Sequence, residues 1–446
     1  MTIAVMKTKA EQALAEAFEA NAGKLPGSAA VSAARRVAIG KFNTSGLPNR
    51  RIEEWKYTDL RNTMKDALAL KLDEAVKVTI ADVIVALGPL AHVEAYRITF
   101  VNGRYREDLS DMAGVEGVDV TPLAKALGAA PDKVADGLMA VGEADDAVVT
   151  LNTAFMTDGA IVRVAPEAAP AKPLLMVFLR AGSEGRFTAV RNVISAGEAS
   201  NVTLIEAHVA LPGAAAEGQM NALTSLTVAK GAHVAHTKVA ADFGKTVHLS
   251  NWTVALEADA VYHGFQFTSG QSLARNQIAV RYDGEGGALD LSGAFLVRGT
   301  EHVDTTLVVD HAVPHCESRE LFKGVLDNSG RGVFQGKIIV RPDAQKTDGK
   351  QMAQALMLSP DAEFDSKPEL EIYADDVVCG HGTTSAELDE DLLFYCKSRG
   401  IPENEARALL IESFIGEALD KVEHEELRTA LSAMAIDWLT ATDKRR

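Results

Sequence analysis

The stretch Trp252-Thr253-Val254-Ala255-Leu256, followed at once by Glu257-Ala258-Asp259-Ala260, decides the fold. Its first five residues favour an extended, half-buried backbone, and the next four are small or acidic and favour a turn. The same unit recurs between about residue 145 and residue 370. Val202-Thr203-Leu204-Ile205, Leu174 to Leu179 and Gly336-Lys337-Ile338-Ile339-Val340 read as strands, as does Ala147-Val148-Val149-Thr150-Leu151. Turns of the same kind stand at Gly197-Glu198-Ala199, Lys230-Gly231-Ala232 and Gly286-Gly287-Ala288. Their spacing of about 30 residues lies in the range of solenoids and propellers. No long amphipathic helix separates the runs, which disfavours crossover βαβ units. A parallel β-helix fits best, because a single rung cannot bury its apolar side and must stack on the next. The spacing is irregular, so a large antiparallel sandwich stays open as the alternative.

Outward from this core the period changes. Residues 8 to about 90 read as mainly helical. Ala10, Leu14, Ala17 and Phe18 form one apolar stripe, ended by Leu25-Pro26-Gly27-Ser28. Val31, Ala34, Ala38 and Phe42 form a second, with Arg35 set aside, and it ends near Gly46-Leu47-Pro48. Beyond about 385 helices return: Ile411, Ile415, Ala418 and Val422 share a face that Leu410 and Phe414 widen, and Leu427, Leu431, Met434 and Trp438 mark a second helix. Terminal helices this apolar pack on each other, and the extra width leaves room for a partner surface.

Composition sets the outer limits. The 446 residues are 47% hydrophobic and 24% charged, as in a soluble globular protein, and the net charge is −17. That acidity argues against nucleic acid or an anionic membrane as the main partner. Met1 to Ala10 lacks the apolar core of a secretory signal, and the longest apolar run, Leu174 to Leu179, falls far short of a membrane span. The cysteines are Cys316, Cys379 and Cys396, too few for a disulfide framework. A reducing cytoplasmic location is expected, where a thiol stays available to a soft metal.

Familiar catalytic motifs are absent. Gly244-Lys245-Thr246 has the ending of a phosphate-binding loop, but Val239 occupies the place of its first glycine. There is no Gly-x-Gly-x-x-Gly after a strand, no His-Glu-x-x-His, no Cys-x-x-Cys and no Gly-x-Ser-x-Gly. Two places hold metal-compatible side chains. His311-Ala312-Val313-Pro314-His315-Cys316 reads as a polar turn with an inert buried thiol, since neighbours on a strand point to opposite faces. In Cys379-Gly380-His381, residues two apart share a strand face, so thiolate and imidazole can address one ion across an unobstructed glycine. Two ligands do not complete a four-coordinate iron or zinc site, so any metal there needs ligands from elsewhere. By spacing alone an inert pair is the commoner reading, since lone Cys-x-His pairs are frequent by chance.

At this segment a family resemblance enters. Residues 336–415 resemble the SufB/SufD family of iron–sulfur cluster assembly proteins, through Lys346-Thr347-Asp348-Gly349, the run from Ser366 to Gly382, Phe394-Tyr395 and Ser398-Arg399-Gly400-Ile401. Arg51-Ile52-Glu53-Glu54-Trp55-Lys56-Tyr57-Thr58 looks like the family's N-terminal signature, and Ser318 to Gly324 adds a third block. The SufD side fits better than the SufB side: no N-terminal cysteine cluster is seen, and Gly382 stands where SufB chains carry Glu. The resemblance implies a mainly β chain: a right-handed parallel β-helix core (residues 91–375) flanked by an N-terminal helical domain (1–90) and a C-terminal segment and helical domain (376–446). It implies a scaffold rather than an enzyme, pairing with SufB and with two copies of the ATPase SufC, and it admits a homodimer of the isolated chain. His381 is implied as a ligand of a transient iron–sulfur cluster shared with SufB, with Cys379 as helper. SufC would grip the helical face of Leu410, Ile411, Phe414, Ile415 and Ala418, and this chain would bind no nucleotide. Two other readings are a carbohydrate-active β-helix enzyme, for which no dense carboxylate array is present, and a purely structural partner with inert Cys379 and His381.

Overall fold

The computed structural model describes residues 6–72, 76–129 and 146–443. Its centre is a solenoid of about 8 turns. The first strands are β1 (Tyr96–Val101), β2 (Arg104–Tyr105), β3 (Val118–Pro122), β4 (Ala160–Val164), β5 (Leu174–Arg180) and β6 (Phe187–Ala196). The middle is β7 (Asn201–Ala210), β8 (Glu217–Val228), β9 (His233–Ala240), β10 (Gly244–Leu256), β11 (Val261–Ser269), β12 (Gln271–Tyr282) and β13 (Ala288–Val297). The last are β14 (His302–His311), β15 (Glu317–Leu326), β16 (Arg331–Val340), β17 (Asp348–Met357), β18 (Glu363–Ile372) and β19 (Val378–Ala386). Successive strands alternate between a ten-stranded sheet ordered β19-β17-β15-β13-β11-β9-β7-β5-β1-β2 and a nine-stranded sheet ordered β18-β16-β14-β12-β10-β8-β6-β4-β3. The two sheets do face each other, but apart from β1 with β2 and β3 with β4 their pairings are parallel, which excludes the antiparallel sandwich.

Alternation along each strand of the ten-stranded sheet splits its apolar residues between two cores. Val202, Leu204, Val234, Tyr262, Leu289 and Leu291 point into the lumen. Their neighbours Ile205, Ala207, Phe265, Phe267 and Leu296 point outward and are buried under helices. A strand covered on both faces reads as a continuous apolar run, which accounts for Leu174 to Leu179.

The recurring turn is one corner of the solenoid. Ala199, Gly231, Asp259 and Gly286 each have φ between 53° and 76°, in the left-handed region. The Ala199 N–H donates to the Lys230 carbonyl at 2.9 Å, Gly231 to Ala258 at 2.9 Å and Asp259 to Glu285 at 2.8 Å, so the ladder continues around the corner. His315 and Lys346 occupy the same corner further along, donating to Gln345 at 3.0 Å and Asp376 at 2.6 Å. One left-handed residue at this corner of each rung turns the chain while its backbone N–H stays paired.

Helices cover both outer faces. At the N-terminus α1 (Lys9–Asn21) and α2 (Ala29–Ser45) pack with Phe18, Ile39 and Phe42 against the nine-stranded sheet. Arg35, left out of the apolar stripe, is buried: its guanidinium donates to the carbonyls of Ala154 (3.0 Å) and Pro26 (2.9 Å), and desolvation lowers its pKa to about 10. After α3 (Ile80–Leu87) comes a correction: Ala147-Val148-Val149-Thr150-Leu151, read as a strand, begins helix α4 (Ala147–Phe155). The Asp146 carboxylate accepts from the N–H groups of Val148 (2.7 Å) and Val149 (3.1 Å), and this cap outweighs the β-branched run. At the C-terminus α5 (Glu390–Ser398), α6 (Glu403–Leu419) and α7 (Glu425–Asp443) follow the last strand, and the latter two lie on the ten-stranded sheet. Among the described residues no helix is long and apolar enough to cross a membrane.

The segment Arg51 to Thr58 straps the N-terminal region across the nine-stranded sheet. Arg275 donates to the Glu54 carbonyl at 2.6 Å and stacks on the Trp55 ring at 4.6 Å, while Thr58 donates to Asp304, which is ion-paired with Arg275. Glu53 pairs with Lys367 at 2.6 Å.

Candidate functional site

Cys379 and His381 lie on β19, the last strand of the ten-stranded sheet, whose outer edge carries no further strand among the described residues. Register fixes their direction. Cys379 ends the row Val202, Val234, Tyr262, Leu289, Ser318, Gly349, and His381 ends the adjacent row Leu204, His236, Gly264, Leu291, Glu320, Gln351. Both rows face the lumen, so the two side chains share one face, as the Cys-x-His spacing requires. Cys379 packs against the small cluster of Ile338, Val340, Ala344 and Ala374, whereas His381 is exposed because no rung covers it. A groove of about 450 Å³ runs beside them, lined also by Arg319, Glu320, Lys350 and Met352.

Partial burial pushes the Cys379 thiol up, against the pull of the Gly349 N–H, so a metal must displace its proton. Gly380 between them points to the opposite, outward face, where nothing meets a Cβ built on it. At Gly382 a Cβ would stand 2.7 Å from Met352 Cε, so a larger residue there must push Met352 aside.

Sequence reasoning missed Glu320. It sits directly below Gln351, almost fully buried, and neither carboxylate oxygen makes a well-formed hydrogen bond. Burial raises its pKa to about 8, against the Ser318 hydroxyl, which is itself held by His311 Nε2 at 3.1 Å. Gln351 reaches across the lumen to the Gly336 carbonyl at 3.4 Å, and any side chain at 336 would overlap it. The signal for Glu320 was its place in an inward period-2 set with Ser318 and Phe322, readable only once register is known.

The other metal-compatible segment holds no shared site. His311 is buried and stacked on Tyr282 at 4.6 Å, with its pKa lowered to about 4 by burial; Cys316 is buried with its thiol toward the Pro314 carbonyl at 3.4 Å. Of the helical face, Ile411, Ile415 and Ala418 are buried against the chain's own solenoid and α7, so they are not a free surface. Phe414 is half-buried beneath the Lys323 ammonium at 4.3 Å, and Leu410 is half-buried. The exposed apolar residues here are Leu409 and Ile436, which line a cleft of about 330 Å³ between α6 and α7, and Leu392, Phe394 and Tyr395 on α5.

Comparison with known proteins accords with this architecture. Residues 178–414 match the family model described as SUF system FeS cluster assembly, SufBD core domain, and residues 8–175 match the SufBD protein N-terminal region. The iron-sulfur cluster assembly protein SufD of Escherichia coli is 30% identical over 409 residues, covering 87% of this chain and 88% of that one. An iron-sulfur cluster assembly SufBD family protein of Synechocystis is 28% identical over 401 residues, covering 87% and 86%. Two family models that together span most of the chain, and a relative matched along nearly its whole length, place this chain in the SufBD family of iron–sulfur cluster assembly proteins, on its SufD side.

Proposed function

We propose that this chain is a cytoplasmic scaffold subunit, not itself an enzyme, which pairs with SufB, docks the ATPase SufC on its C-terminal helices, and presents His381 to a nascent iron–sulfur cluster. The observation that carries the reading is the position of Cys379 and His381 on the terminal strand β19, at an open sheet edge. An open edge offers unpaired backbone groups to another chain, and Val378 (61% exposed), Tyr373 (59%) and Ile372 (41%) surround this one with apolar surface. One imidazole and one thiol leave a cluster iron short of ligands, so a thiolate from SufB at the same edge would complete the set. The isolated chain would then hold iron weakly, and two copies could pair through the same edge. The cluster is cargo, released after assembly. On α5 to α7 the docking surface for SufC falls on Leu409, Ile436 and the exposed face of α5, since Ile411, Ile415 and Ala418 are occupied internally.

The test is the iron and sulfide content of the complex, co-expressed with its full pathway and purified anaerobically. His381→Ala should keep folding and SufB association while cluster content falls severalfold. Cys379→Ser should be milder if the thiol only assists. Val378→Asp, at the edge, should instead reduce SufB association. Wild-type cluster content in the His381→Ala complex would remove this residue from the function.

A further inference from the structure

A second group of ligand-type side chains lies on the outward face of the solenoid. His233 opens β9 and His263 lies on the adjacent β11, in outward positions two residues out of direct register, because His233 pairs with Val261. Glu423, in the connection between α6 and α7, reaches down onto both. His263 Nδ1 stands 2.7 Å from one carboxylate oxygen, and His233 Nε2 stands 3.3 Å from the other. The imidazole centroids are 5.1 Å apart in an edge arrangement, and the three donor atoms lie within 4.8 Å of one another. Among the described residues these three form the one group of three or more metal-type donors converging this closely.

His233 Nε2 is shielded from solvent, and its 3.3 Å approach to the Glu423 carboxylate lacks hydrogen-bond geometry. The neighbouring residues already fix the connection without Glu423: Val422 is buried, and Lys421 pairs with Asp290 at 2.9 Å. The carboxylate is thus presented to two imidazoles on a preformed support, as second-neighbour contacts hold metal ligands in place. His263 and Glu423 keep 31% and 41% side-chain exposure, so the group opens to water on their side.

We propose that His233, His263 and Glu423 form a binding site for a divalent transition ion of the Zn²⁺ class, which staples the α6–α7 connection to rungs β9 and β11. Two imidazoles and one carboxylate are borderline ligands suited to Zn²⁺ or Co²⁺, and three protein ligands with one open position is a familiar zinc arrangement. The ion is distinct from any cluster at His381: β11 and β19 are four strand steps apart, roughly 19 Å at about 4.8 Å per step. The site therefore stands or falls independently of the proposed scaffold role.

The experiment uses the full chain, freed of metal by chelation, in a Cys379→Ser/His381→Ala background that removes the β19 ligands. Titration with Zn²⁺ by calorimetry should give one equivalent per chain with micromolar or tighter affinity and should raise the melting temperature. Co²⁺ should give weak visible bands without the intense near-ultraviolet absorption of a thiolate ligand. His233→Gln and His263→Gln, both at partly exposed positions, should each weaken binding at least tenfold while circular dichroism stays unchanged, and Glu423→Gln should abolish the thermal shift. Absence of saturable binding would overturn the proposal. So would undiminished affinity in the His233→Gln/His263→Gln double variant, or a thiolate band assigning the ion to Cys316 or Cys396.

Discussion

Glu320 and His381 stand in one inward-facing row of the ten-stranded sheet, with Gln351 as the single residue between them. The open end of the solenoid therefore leads, one residue deep, to a buried carboxyl group that stays protonated at neutral pH.

Glu320 makes folding pH-dependent. Its pKa rises from 4.5 to about 8 on folding, so the folded chain binds a proton that the unfolded chain has released. Stability from this group is fully present below about pH 4.5 and is lost as pH rises through about 8. Each pH unit in that window is worth up to about 1.4 kcal/mol. Glu320→Gln, which cannot ionise, should be more stable than the parent at pH 8 by on the order of 4 kcal/mol, with the difference vanishing toward pH 4.5. Urea denaturation midpoints at both pH values measure this, and equal differences at the two would contradict a buried neutral acid.

On α6 the burial pattern separates stability from docking. Ile415 is 1% exposed among solenoid and α7 side chains, so Ile415→Asp should cost at least about 3 kcal/mol and loosen the C-terminal helices. Leu409→Asp and Ile436→Asp, at exposed positions, should change stability by less than about 0.5 kcal/mol while weakening capture of the SufC ATPase. Thermal melts paired with pull-downs decide it: undiminished capture by both folded variants would move the docking surface elsewhere.

How far the chain was readable follows the same division. Trp252 to Leu256 and the turn after it announced the solenoid because a left-handed residue at the same corner of successive rungs leaves a repeating mark, at Ala199, Gly231, Asp259 and Gly286. Ala147 to Leu151 misled because every residue of α4 is buried, so no polar face revealed a helical period; the remaining cue was Asp146 as a cap. The width of the α6 face was read from sequence, but its use was not: Ile411, Ile415 and Ala418 face both the sheet and α7. Cys379 and His381 could be paired from spacing alone, since two residues apart on a strand is a local relation. Glu320 beneath His381, and Glu423 over His233 and His263, depend on inter-rung register and on a remote helical connection, which local pattern does not encode.

The strap from Arg51 to Thr58 rests on one buried ion pair, and its energetics can be tested separately from cluster chemistry. Arg275 and Asp304 are both fully buried and paired, with Trp55 stacked on the guanidinium and the Thr58 hydroxyl donating to the carboxylate. Nearby His302, whose pKa burial lowers to about 4, is neutral and cannot replace the lost cation or anion, although its Nε2 lies 3.1 Å from the Thr58 hydroxyl. Asp304→Ala leaves the guanidinium buried without a counter-charge, and such removals cost about 3–5 kcal/mol. Replacing both partners by apolar residues of similar volume, Arg275→Met/Asp304→Leu, should cost less than the single change, because no unpaired charge remains. The strap itself should respond as well: with Asp304→Ala, trypsin should cut sooner at Arg50, Arg51 or Lys56, which flank Trp55 in the sequence. Unchanged melting temperature and unchanged cleavage rate in Asp304→Ala would mean that the strap is held by the Trp55 and Glu53 contacts alone.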